Sequence, residues 1–219
     1  MHAVCEEVLV DVRELSALEA WAQSLGWMEK IGVAAGQSPR GGSYPMPMLT
    51  IKFSVAAFKV QTLLSLFPNA CDESTAEMAL APRLYAEGFA CIAPPDIEEG
   101  SPAYRRWKEF CVRAEREYVI FAKTLADKEA AAYILPACVT HVVTTQMTVQ
   151  ELVKAILRAF NYFSFGNMKP LHPLFRKLLI HCEANCPTLF HGLYTKYCVK
   201  GEENDAEMAG EGEGAGEEV

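Results

Sequence analysis

The sequence predicts an α+β domain, and three observations carry that prediction. Helical apolar spacing covers more of the chain than strand patterns do. One segment, Val139 to Thr145, is rich in Val and Thr and reads as a strand. Strands and helices do not alternate regularly, which argues against a doubly wound α/β fold.

Taken in order, residues 7–28 carry Val12, Leu15, Leu18, Ala22 and Leu25 at helical spacing, so the segment is read mainly as helix. Residues 35–47, AGQSPRGGSYPMP, are rich in Gly, Pro and Ser and form a loop. Met48 to Val55 alternates in part and predicts a strand, and Ala57 to Leu66 predicts a helix that Pro68 stops. Phe89 to Ala93 is a short apolar strand closed by Pro94-Pro95. Ser101-Pro102 opens a long helix to about Leu125, with Ser as N-cap and Pro at the first position. A helical turn from Asp127 to Ile134 ends at Pro136. After the strand at 139–145, helices are expected over about 149–165, 173–184 and 187–198.

At 219 residues, with 51% hydrophobic and 22% charged residues, the chain has the length and composition of one soluble globular domain, placed at 1–201. Net charge is −8, but eight of the 28 acids fall in 202–219, a Gly/Glu tail without Lys or Arg that should be disordered. The body before it has 20 acids and 20 bases and shows no basic stripe, which gives no support for nucleic-acid binding. No stretch approaches the roughly 20 apolar residues needed to span a bilayer, so no membrane partner is expected. Met1-His2 runs into Cys5-Glu6-Glu7 without a basic, apolar leader. Eight cysteines scattered through apolar segments suit a cytoplasmic protein with reduced, mostly buried thiols.

Neither phosphate-loop pattern, GxxxxGK[ST] or GxGxxG after a strand, occurs. Gly41-Gly42 after Arg40 reads as a turn. His181, Cys182, Cys186 and His191 have metal-ligating chemistry, but LLIHCEANCP reads as an amphipathic helix with Cys as small apolar residues, so no metal site is assigned. His141 in VTHVV reads as a sheet histidine. Arg158 is followed by Phe160, Tyr162, Phe163 and Phe165. Such a group could clamp a phosphate and stack a planar ring, or could be a helix cap beside core aromatics.

Four collinear segments, spanning about 44–201, resemble the flavin-dependent thymidylate synthases (ThyX). They are Tyr44-Pro45 with LTIKFSV, the strand from Phe89 to Ala93 with its long helix, Ala132-Tyr-Ile-Leu-Pro136 running through to Leu157-Arg158, and the C-terminal stretch from Cys186-Pro187 to Gly201. The resemblance implies a small twisted antiparallel sheet packed with several helices. It also implies a homotetramer that converts dUMP to dTMP in nucleotide biosynthesis, with methylenetetrahydrofolate, FAD and NADPH. Carried over by position, Arg158 and Arg83 would bind the dUMP-like substrate, and Leu157 and Tyr162 would face the flavin; no catalytic residue is assigned. Several family positions differ. Phe67-Pro68-Asn69 stands where the family's flavin-binding Arg-His-Arg triplet falls, Ala132 replaces a phosphate-holding Arg, Met147 and Val149 replace an Asn and an Arg, and Met48 replaces a His. Each lost charge-assisted contact is worth about 1.5–3 kcal/mol. A ThyX-fold binding or structural subunit without FAD or dUMP is therefore the alternative reading. Replacement cations would have to come from Arg40, Lys52, Lys59 or Arg83.

Overall fold

The computed structural model describes residues 2–37, 46–67, 69–74, 88–95, 97–124, 134–161 and 168–200. Among these residues are seven α-helices and six strands. The strands are β1 (His2–Val4), β2 (Glu7–Val10), β3 (Met48–Ala56), β4 (Cys71–Asp72), β5 (Ala90–Ile92) and β6 (Thr140–Thr148). The helices are α1 (Val12–Ser24), α2 (Trp27–Ala34), α3 (Ala57–Leu66), α4 (Pro102–Thr124), α5 (Val149–Asn161), α6 (His172–Asn185) and α7 (Pro187–Tyr194). The small antiparallel sheet has the order β2-β3-β6-β4, with Cys71 opposite Thr144 and Asp72 opposite Val143. Separately, β1 pairs with β5 in parallel, Ala3 opposite Cys91.

The start of the chain departs from the sequence expectation. Residues 7–10 form a strand, with Val8 buried and Leu9 exposed, and the helical pattern begins only after Asp11. Asp11 is the N-cap of α1, its carboxylate accepting from the Arg13 N–H at 2.8 Å. The run is then divided at Leu25-Gly26, where both residues are extended, and the Glu29 carboxylate accepts the Gly26 N–H at 2.8 Å to start α2. At the far end of α2, Gly36 adopts φ +75° and gives its N–H to Val33, while Gln37 gives its own to Gly32. That pair of bonds is a Schellman stop, and the left-handed residue it needs is a glycine. The predicted turn at 127–134, the Gly41-Gly42 loop and the acidic tail lie largely or wholly outside the described residues.

The chain divides into two compact units, Met1–Leu9 with Ile51–Thr145, and Val10–Thr50 with Gln146–Val219. In the first, β3 buries Ile51, Phe53 and Val55 completely, and Phe53 stacks on Phe67 at 5.5 Å. The long helix α4 starts as expected, Ser101 Oγ accepting the Tyr104 N–H at 3.1 Å with Pro102 in the first turn. Its inner face joins Cys111, Tyr118 and Ala122 to Phe89, Cys91 and Val139 in one apolar cluster.

In the second unit, α1, α2 and α5 pack on α6 and α7. α1 is tied to α7 by Glu19, whose carboxylate accepts from the Thr188 hydroxyl at 2.6 Å and the Thr188 N–H at 3.2 Å, and from Gln23 at 2.8 Å. Burial raises the Glu19 pKa, but hydrogen bonds from Thr188, Gln23 and Cys186 together outweigh it and hold the carboxyl below its ordinary 4.5. A group whose folded pKa is depressed adds stability above its unfolded pKa and loses it as pH falls through the folded value. Acid titration of thermal stability should therefore show a loss below pH 4.5 that Glu19→Gln reduces; an identical acid limb in wild type and variant would refute the link.

Candidate functional site

The segment that carries Arg158 is organised from its start. β6 ends in Met147 and Thr148, and Thr148-Val-Gln-Glu151 closes a reciprocal capping box. The Thr148 hydroxyl oxygen accepts the Glu151 N–H at 3.3 Å, while the Glu151 carboxylate accepts the Thr148 N–H at 2.8 Å and hydroxyl at 3.0 Å. From there α5 buries Val149, Leu152, Val153, Ala155, Ile156 and Ala159. Glu151, Lys154 and Arg158 recur at helical spacing on its exposed face. Among the described residues no partner holds the Arg158 guanidinium, which is exposed in the last turn of α5. It sits at the negative end of the helix dipole, where a cation is favoured, and its planar fork suits a phosphate. Leu157 beside it is half-buried.

Behind this turn lies an aromatic and cationic assembly. The Phe160 ring stacks on Tyr197 at 4.4 Å and 9°, and lies 4.9 Å from the His172 ring. Tyr197 donates its hydroxyl to Asn161 Oδ1 at 2.8 Å and receives Arg176 Nε at its carbonyl at 3.2 Å. His172 donates Nε2–H to the Ala159 carbonyl at 3.0 Å, since a carbonyl can only accept. Lys196 sits 4.7 Å over the Tyr197 ring. Tyr197 itself stands in a π-helical turn, Thr195–Val199. Of the aromatic run read as a stacking surface, Phe160 is thus turned inward and used in packing. Tyr162, Phe163 and Phe165 lie outside the described residues, as do Arg83, Arg40 and Ala132. His172, Arg176 and Lys196 were not singled out by sequence reasoning, and Tyr197 entered it only within the C-terminal stretch of the ThyX resemblance.

The other cations proposed as replacements are engaged. Lys59 forms a 2.8 Å ion pair with Glu6, both side chains largely buried, and Lys52 lies 3.8 Å from Glu73 at the surface. His141 Nδ1 lies 2.9 Å from Asp72 Oδ2, the satisfied sheet histidine expected. Cys182 and Cys186 are fully buried, with burial pushing the Cys182 thiol up to about 12, while His181 and His191 are exposed and His191 bonds Glu183 at 2.7 Å. These four do not form a ligand set among the described residues. The even charge count of the body also hides a local feature: Arg105, Lys108, Arg113 and Arg116 line a shallow groove along α4 with Glu109 and Val112.

A flavin would need donors for its diphosphate, and Phe67, at the first place of the triplet, does not supply one. Phe67 is 3% exposed and stacked on Phe53, so that position is core and offers neither charge nor access. Met147 and Val149 are buried too, at 2% and 0% exposure.

The described elements build a ThyX-like fold. Two crystal structures of the UMP/dUMP methylase PolB from Streptomyces cacaoi are similar to it. The one bound with 5-Br dUMP has a TM-score of 0.56 and 13% identity, over 87% of this chain and 96% of that chain. The one bound with 5-Br UMP has a TM-score of 0.56 and 12% identity, over 90% and 97%. No protein-family model matches the chain, and no curated protein matches it in sequence. At such identities the likeness establishes the fold and not membership of a family. Among the described residues no helix is long and apolar enough to cross a membrane.

Proposed function

We propose that this chain binds a uridine monophosphate nucleotide, dUMP or UMP, on its ThyX-like scaffold, with the Arg158 guanidinium holding the phosphate. The observation that carries this reading is the nearly end-to-end fold likeness to a methylase solved with 5-Br dUMP and with 5-Br UMP. Arg158 supports it as an exposed cation on a helix end fixed by the Phe160–Tyr197 stack and the His172–Ala159 bond. Methyl transfer from methylenetetrahydrofolate with FAD and NADPH, in a cytoplasmic homotetramer, is the wider activity implied by the ThyX resemblance. The packing of Phe67 opposes the FAD part, so no catalytic step is assigned to named residues.

Calorimetric titration of the purified protein with dUMP and UMP tests the proposal. Loss of one charge-assisted phosphate contact costs about 1.5–3 kcal/mol, so Arg158→Ala should weaken binding by roughly ten- to a hundredfold without changing thermal stability. Equal affinity in wild type and variant would remove Arg158 from the site. A second reading, a ThyX-fold subunit that binds neither nucleotide nor flavin, is favoured specifically by the burial of Phe67, Met147 and Val149. It predicts no heat with either uridylate and a colourless protein that takes up no FAD.

A further inference from the structure

Three cysteines from distant parts of the chain meet in the first unit. Cys91 is central in β5, Cys111 is on the inner face of α4, and Cys138 immediately precedes the short bridge that joins Val139 to Cys91. Their sulfurs all lie within 4.8 Å of one another, and Cys111 Sγ is 3.6 Å from Cys138 Sγ. Tetrahedral zinc with Zn–S bonds of about 2.3 Å places its sulfurs about 3.8 Å apart, so little adjustment would bring the three onto one ion.

The backbone around them is tied: Ile92 gives its N–H to the Cys138 carbonyl at 2.8 Å, and Val139 gives its own to Pro136 at 3.0 Å. Cys91 and Cys111 are fully buried among Phe89, Tyr118 and Val139, whereas Cys138 is only half-buried. The Trp107 indole N–H is buried beside the group without a formed hydrogen bond, close enough to Cys138 to favour its thiolate. Hydrogen bonds from Cys91, with smaller help from Cys111 and Trp107, bring Cys138 down to about 6 against the opposing effect of burial. Burial, with the hydrogen bond to Cys138, pushes Cys111 up to about 12.

We propose that Cys91, Cys111 and Cys138 bind one Zn2+ ion, leaving its fourth position to water or another small ligand. Each bound thiol forms an S–Zn bond and releases its proton to solvent. Three protons leave in all, and the three thiolates and the ion then carry one net negative charge. Among the described residues no further His, Cys, Asp or Glu joins the group. Three protein ligands and one exchangeable position is the coordination of reactive rather than purely structural zinc. The proposal is independent of the nucleotide reading.

The test is titration of the full-length protein, reduced and stripped of metal, with Zn2+ alone and with Co2+ alone. One equivalent should bind. Co2+ should give thiolate-to-metal charge-transfer absorption and the intense ligand-field bands of a tetrahedral site, both abolished by added Zn2+. Affinity should fall as pH is lowered and protons compete. Loss even of an outer-sphere partner costs metal sites about 10–100-fold, so Cys138→Ser, at the least buried ligand, should cost more than about a hundredfold. Cys5→Ser, at an exposed thiol elsewhere, should change nothing. The wild-type Co2+ spectrum needs no variant to fold. Absence of that spectrum or retention of affinity in Cys138→Ser would each overturn the zinc assignment.

Discussion

Phe67→Arg, which returns a cation to the place of the flavin triplet, should destabilise the protein and leave it without FAD. Phe67 is 3% exposed and stacked at 5.5 Å on Phe53, itself fully buried. Removing a buried Phe costs about 3–5 kcal/mol, and a guanidinium forced into that space without a partner adds to the loss. For a chain of this length each kcal/mol lowers Tm by roughly 2–4 °C, so a fall of roughly 6–20 °C is expected. Asn69→Arg, at an exposed position two residues on, adds the same charge without touching the core and should stay within about 0.5 kcal/mol of wild type. A Phe67→Arg protein as stable as wild type, purified yellow, would show that the site lacked only its charge. Thermal melts and visible absorbance spectra of the two variants decide the matter.

Ile156→Ala is the second large effect. Ile156 is fully buried, on the inner face of α5 two residues before Arg158. Deleting such a side chain costs about 2–5 kcal/mol through lost transfer energy and the cavity left behind. Because α5 carries Arg158, uridylate affinity should fall together with stability. That distinguishes it from Arg158→Ala, which should lower affinity alone. Chemical denaturation reads the first quantity and calorimetry the second. A cost below about 1 kcal/mol would mean that the second unit can collapse around the gap.

Local patterns were legible, and long-range partners were not. Ala57–Leu66 is a helix at the bounds expected, because Val60, Leu63 and Leu66 mark its buried side and Pro68 follows. Glu7–Val10 was missed because the helical spacing that begins at Val12 was carried back across Asp11, a residue whose cap role marks the true start. β1 and β4 are two or three residues long and exist through pairing with β5 and β6, which no local pattern encodes. Thr148-x-x-Glu151 could have been read as a capping box, and Arg105, Lys108, Arg113 and Arg116, at intervals of three, five and three, as cations gathered on α4. Arg158 was legible as an exposed residue of an amphipathic helix. The inward turn of Phe160 was not, because its stacking partner Tyr197 is far along the chain. Likewise, the intervals from Cys91 to Cys111 to Cys138 match no ligand spacing, and only the packing of β5 against α4 brings the sulfurs together.

The most direct test of uridylate binding at Arg158 uses the bromine of 5-bromo-dUMP as its own marker. Crystals of the protein grown with that nucleotide, measured at the bromine absorption edge, give an anomalous map that locates the pyrimidine without bias from the protein phases. One ordered bromine peak is expected, with the nucleotide phosphate in the fork of the Arg158 guanidinium at the end of α5. A peak in the groove of Arg105, Lys108, Arg113 and Arg116 instead, or no peak at saturating nucleotide, would contradict it.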